Sequence, residues 1–128
     1  MSKNQKPAAP VSTETKFNVN LGGDIYTLNF GTTTFLRIKE FRPSLSNAFN
    51  VPVEVDAAEI VAFLIYCAIK PEDRKWTSYE EFLEVYDNSE DLDSSKVLTG
   101  YQAGVKGYLK KVEPALLALQ NLAGDQGK

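Results

Sequence analysis

Residues 16–30 read KFNVNLGGDIYTLNF, and this stretch decides the fold class. In KFNVNL, Phe17, Val19 and Leu21 alternate with polar residues, and in IYTLNF the apolar positions include Ile25, Leu28 and Phe30. Between the two runs sits Gly22-Gly23-Asp24, and glycine reaches the positive φ that tight hairpin turns demand. Two antiparallel strands joined by this turn are therefore expected. An isolated hairpin is marginal in water, so it must lie on helices or pair with a further strand.

Downstream the period changes from two to three or four. After Gly31, Thr32 to Thr34 can cap an amphipathic helix in which Phe35, Leu36, Ile38 and Phe41 repeat at three-to-four spacing, ending before Pro43. The stretch PSLSNAFNVPVEV, with prolines at 43 and 52, reads as a connection with at most a short helical turn. Asp56 precedes Ala57, Ala58 and Glu59 at capping-box spacing, which predicts a central helix from 57 to about 70, stopped by Pro71. Ser78-Tyr79-Glu80-Glu81 repeats that spacing ahead of a short helix at 79–87. Asp93 or Ser94 can cap a longer helix whose Val97, Tyr101, Val105, Tyr108 and Val112 fall within roughly 80° of one another on a helical wheel. Pro114 is expected to kink or restart it, leaving PALLALQNLA as a final apolar turn or two. The expected fold class is α+β, mainly α: an N-terminal β-hairpin followed by four to five helices in one small domain.

At 128 residues the chain holds one domain rather than two. Residues 1–15, rich in Pro, Ala, Ser, Thr and Lys without apolar periodicity, cannot bury enough surface to offset their ordering entropy and read as a flexible tail. The globular part is assigned to 16–122, and 123–128 to a flexible C-terminus. A net charge of −3 lacks the positive field that non-specific binding to a phosphate backbone requires, so nucleic acid is not the expected ligand. The most apolar run, IVAFLIYCAI at 60–69, falls short of the roughly 20 residues that span a bilayer and reads as a buried core helix. With neither a secretory signal nor a membrane anchor in the first fifteen residues, the expected location is cytoplasmic.

The chain has no histidine, which removes Ser-His-Asp and Cys-His arrangements, histidine zinc sites and a histidine general base. Cys67 is the only cysteine; it lies in the most apolar helix and reads as a packed core thiol rather than a nucleophile. Residues 71–95 contain nine Asp/Glu and two Lys/Arg. This excess of negative charge reads either as a cation site or docking face centred on DNSEDLD at 87–93, or as a solvated acidic helix with a capped loop. The calcium-loop template fails, because Leu92 stands where Gly is needed and Leu98 where Glu is needed. Glu80, Glu81 and Glu84 would need burial to act as an acid–base pair, and they sit among solvated charges. Arg37, Lys39 and Arg42 read as a solvated basic face. Gly100, Gly104 and Gly107 recur at helical spacing, for close helix packing or for a helix that deforms or docks on a partner, and do not form a GxGxxG fingerprint. No catalytic, cofactor-binding or metal-binding residue is assigned, and the expectation is a protein without enzymatic activity, cofactor or small-molecule substrate.

The order of pieces, with KFNVNLGGDIYTLNF, TTTFLRIKEFR, DAAEIVAFLIYCAIK, the acidic YEEFLEVYD and a C-terminal helix, resembles the tail assembly chaperones of long-tailed, non-contractile bacteriophages over roughly residues 16–112. The resemblance implies a non-enzymatic protein of the infected host cytoplasm that binds the tape measure protein and helps to recruit major tail protein during tail tube assembly. It carries no catalytic residues to transfer.

A chaperone for a long helical client needs exposed apolar stripes and self-association more than a concave pocket. The candidate partner-binding residues are Tyr101, Val105 and Tyr108, continued by Leu116, Leu119 and Leu122. Burial in the chain's own core is the competing reading of that stripe. A small cytoplasmic adaptor or regulatory binding protein of phage or bacterial origin is the alternative function.

Overall fold

The computed structural model describes residues 14–126. Strands β1 (Lys16–Leu21) and β2 (Asp24–Asn29) form a two-stranded antiparallel sheet with Phe17 opposite Leu28 and Val19 opposite Tyr26. Gly22 and Gly23 both have positive φ, 62° and 92°, and the Asn20 side chain accepts from the Gly23 N–H at 3.0 Å. Tyr26, Leu28 and Phe30 point into the core, and Ile25 is exposed. Period two decides this: Ile25 and Leu28 stand an odd number of residues apart and cannot share a face.

Helix α1 (Thr32–Phe41) has Gly31 as its N-cap, without a side-chain cap bond. The threonines lie inside the helix, and Thr34, buried, donates its hydroxyl to the Asn29 carbonyl instead. The connection to the central helix is more helical than expected: a 3-10 turn at Ala48–Asn50 runs into a single turn, α2 (Val51–Glu54). Asn47 opens it by accepting from the Phe49 N–H at 2.8 Å.

Helix α3 (Ile60–Ala68) is the centre of the core, with Ala62 to Ile65 and Cys67 to Ile69 all buried. It begins after a turn at 57–59, with Asp56 accepting from the Ala58 N–H at 2.8 Å. Glu59 does not reach back to close a capping box, because its carboxylate is taken by the Arg42 guanidinium, at 2.6 and 3.0 Å, and by the Tyr79 hydroxyl at 2.6 Å. Charge-assisted, bidentate bonds outcompete a bond to a backbone N–H. At α4 (Tyr79–Asp87) the Ser78 half of the expected box forms, accepting from the Glu81 N–H, while the Glu81 carboxylate reaches one residue past the cap and accepts from the Thr77 N–H and hydroxyl.

The basic residues of α1 are structural rather than free. Arg37 donates to the Cys67 carbonyl at 2.9 Å and Arg74 to the Tyr66 carbonyl at 2.9 Å, so two guanidiniums satisfy carbonyls that the end of α3 leaves open. Lys39 donates to the Leu45 carbonyl. Around α3 pack α1, α4, β2 and the long helix α5 (Ser94–Gln126). The result is an α+β, mainly α domain with the expected hairpin followed by five helices. Of the tail expected at 1–15, residues 1–13 lie outside the described residues. Thr15 accepts from the Phe30 N–H at 2.8 Å, and Glu14 pairs with Lys96 at 3.4 Å. At the other end, the backbone of α5 continues helically to Gln126, past the boundary expected at 122. Gly127 and Lys128 lie outside the described residues. No helix among the described residues is long and apolar enough to cross a membrane.

Candidate partner-binding surface

Helix α5 starts where Asp93 accepts from the Lys96 N–H at 3.1 Å. Its first half lies against the body, and small residues let it approach. A Cβ on Gly100 would stand 2.6 Å from the Phe17 ring, and one on Gly104 would collide with the Phe30 carbonyl and stand 2.9 Å from the Phe30 Cβ. Gly107 faces open space, so close packing accounts for two of the three helical glycines.

The stripe proposed from the sequence divides along this helix. Val97 and Tyr101 are buried, and the Tyr101 hydroxyl donates to the Ala48 carbonyl at 2.8 Å, pinning α5 to the 48–50 turn. Burial pushes that phenol up to about 12. Val105 and Tyr108 are half-buried against the core, Tyr108 meeting Phe35 and Phe49 at ring distances of 5.9 and 5.1 Å. From Glu113 to Leu122 every side chain is exposed, whichever way it points around the helix. This is a helical arm clear of the body. Leu116, Leu119 and Leu122 are 50%, 60% and 56% exposed, against 2% for Tyr101 on the same face.

The helix runs through Pro114 without a break in its assignment, where the sequence predicts a kink or restart. Proline removes one N–H and crowds the preceding turn. Here that loss falls just beyond Val112, the last half-buried member of the stripe, where the arm leaves the body. Pro114 thus marks the boundary between the two halves of α5.

The six candidate residues are consequently not one surface. Tyr101 belongs to the core, Val105 and Tyr108 to its edge, and Leu116, Leu119 and Leu122 to the bare arm. Three exposed residues outside the sequence assignment add to the apolar surface: Leu117 on the arm, Leu36 on α1 and Val53 on α2. Leu117 is visible in the sequence only as part of the final apolar run, whereas Leu36 reads there as a member of the α1 apolar repeat with Phe35, Ile38 and Phe41 and is nevertheless exposed. Leu36 borders, with Phe49 and Tyr108, a hollow of ≈ 250 Å³ at the root of the arm. A second groove, of ≈ 510 Å³, runs between α2 and α5 and is walled by Phe49, Pro52, Tyr101, Ala103 and Val105.

The other constellations resolve into structural roles. In the 87–93 loop, Ser89 donates to the Val85 carbonyl at 2.8 Å and accepts from the Gly22 N–H at 3.1 Å, which ties the loop to the hairpin turn. Among the described residues no three His, Cys, Asp or Glu side chains gather as a metal site. The Glu81 carboxyl is held below its usual range by the Thr77 N–H and hydroxyl it accepts from, and Glu80 and Glu84 are exposed on α4. Cys67 is buried, and desolvation pushes its thiol up to about 12, which leaves no thiolate near neutral pH. The Arg42–Glu59–Tyr79 triad is a titratable network that composition does not reveal. Arg42 holds the Glu59 carboxyl below its usual range, and burial together with Glu59 drives the Tyr79 phenol upward. Arg42 also lies over the Phe63 ring at 4.6 Å, so the triad clamps α1, α3 and α4 together. No family model, curated protein or solved structure matches this chain.

Proposed function

We propose that this chain is a non-enzymatic assembly chaperone of the phage tail type, which binds the tape measure protein through the bare half of α5 and helps to recruit major tail protein. One observation carries the reading: the apolar stripe that seats α5 on the body continues uncovered through Leu116, Leu119 and Leu122. Fully burying each leucine contributes about 1.5–3 kcal/mol, so a face of this kind gains from any helix that presents a matching stripe. Within 115–122 the arm carries no charge, and recognition there rests on apolar side chains lying in an i, i+3 row. A long helical client can offer many such rows and bind several copies along its length.

The test is co-expression with the product of the long reading frame that follows this gene, read by size-exclusion chromatography with light scattering. A soluble complex holding several copies per client supports the chaperone. A client that stays insoluble or elutes apart from a monomeric form of this protein overturns it and leaves the small adaptor as the surviving reading.

A further inference from the structure

We infer that the ≈ 510 Å³ groove between α2 and α5 is a docking site for the chain's own segment Pro7–Val11. The inference is independent of the proposed function. Three features point to this occupant. The first is where the described chain starts. Glu14 pairs with Lys96 and borders a hollow lined also by Thr99, and Thr99 is in turn part of the wall of the groove. The described chain therefore begins beside one end of the groove. Val11 is three residues before Glu14, a reach of about 10 Å in extended chain.

The second feature is chemistry. Pro7-Ala8-Ala9-Pro10-Val11 is a PxxP sequence followed by a small apolar residue. Such segments favour the polyproline helix, which costs little entropy to fix and docks between aromatic and proline side chains. Phe49 and Pro52 supply that type of wall, and Val53 next to Pro52 on α2 is 84% exposed. The third is charge. Lys106 is the only charged residue lining the groove, and residues 7–13 carry none, so docking strands no ion in an apolar site. Tethering adds to this, because a short linker holds the segment at millimolar effective concentration and weak contacts suffice to occupy the groove.

The experiment uses the full chain with Ala8→Cys carrying a nitroxide spin label; Cys67, buried with its thiol pushed up to about 12, stays unlabelled. Amide signals of Phe49, Val53 and Ala103 should broaden, and most of that broadening should be lost when Pro7→Gly and Pro10→Gly are added. Equal broadening with and without the two prolines overturns the proposal, since a merely tethered segment gives that result. Broadening seen only when spin-labelled, unenriched chains are mixed with enriched, unlabelled ones overturns it as well, by placing the segment on a second copy.

Discussion

The two halves of α5 carry one apolar stripe and lead opposite lives. From Val97 to Tyr108 the stripe is seated on Phe30, Phe35 and Phe49; from Leu116 to Leu122, at similar angular positions, it is exposed. Periodicity states that a face wants cover, and it is silent on whether the cover is the chain itself. What separates the halves is a second signal, the small residues. Gly100 and Gly104 sit where the helix touches Phe17 and Phe30, and after Gly107 no glycine recurs until Gly124, while beyond Val112 the side chains to Leu122 are exposed.

Perturbing the seated half should cost most. Tyr101→Ala removes a buried ring and its bond to Ala48, and a loss of about 3–5 kcal/mol is expected, read as a lower urea midpoint at unchanged slope. An unaltered midpoint would mean that α5 is not docked at all. Next come the glycines, which divide in sign. Gly104→Ala drives a methyl into Phe30 and should cost about 1–3 kcal/mol, whereas Gly107→Ala meets open space and should gain up to about 1 kcal/mol from helix propensity. Two changes of the same sign would erase the distinction between packed and free glycine.

A smaller effect is expected from the triad that clamps the body. Glu59 has a folded-state pKa below its unfolded value because it accepts two bonds from Arg42 and one from Tyr79. Its stabilisation is therefore complete above the ordinary carboxylate value of about 4.3 and is lost as pH falls through the lower folded value. Unfolding measured between pH 6 and pH 3, values of the order of those bounds, should show a steeper acid slope in the native chain than in Glu59→Gln. Parallel slopes would remove Glu59 from the account of acid stability.

These elements also show how far the sequence could be read. The hairpin, the helix order and the Ser78 cap were legible because each follows from local spacing and turn chemistry. Ile25 stands in the sequence only as an apolar position, and its outward facing follows from strand parity, which sets it opposite in direction to Leu28. The capping role expected of Glu59 yielded to Arg42 and Tyr79, seventeen and twenty residues away, and pairings of that separation leave no local signature. Likewise Arg37 and Lys39 read as a solvated face until α3 and the 45 carbonyl came within reach. The candidate surface was legible as a stripe and illegible as a division, since Pro114 predicts a disturbance of the helix and not the loss of a neighbour.

The smallest effect on stability, and the sharpest on function, belongs to the arm. Replacing Tyr108 would confuse the two halves, because its ring packs on Phe35 and Phe49. Leu116→Asp with Leu119→Asp confines the change to exposed side chains outside the core. Substitutions at such positions stay within about 0.5 kcal/mol, so the urea midpoint and far-ultraviolet helical signal should match the native chain. On the proposed function, binding to the client should fall steeply, because two charges would replace the apolar row offered to it and would be desolvated there without partners. Retained binding would move the client to another face of the molecule. A lowered midpoint would instead show the arm folded onto the body in solution, and the bare half of α5 would then be a second seated half.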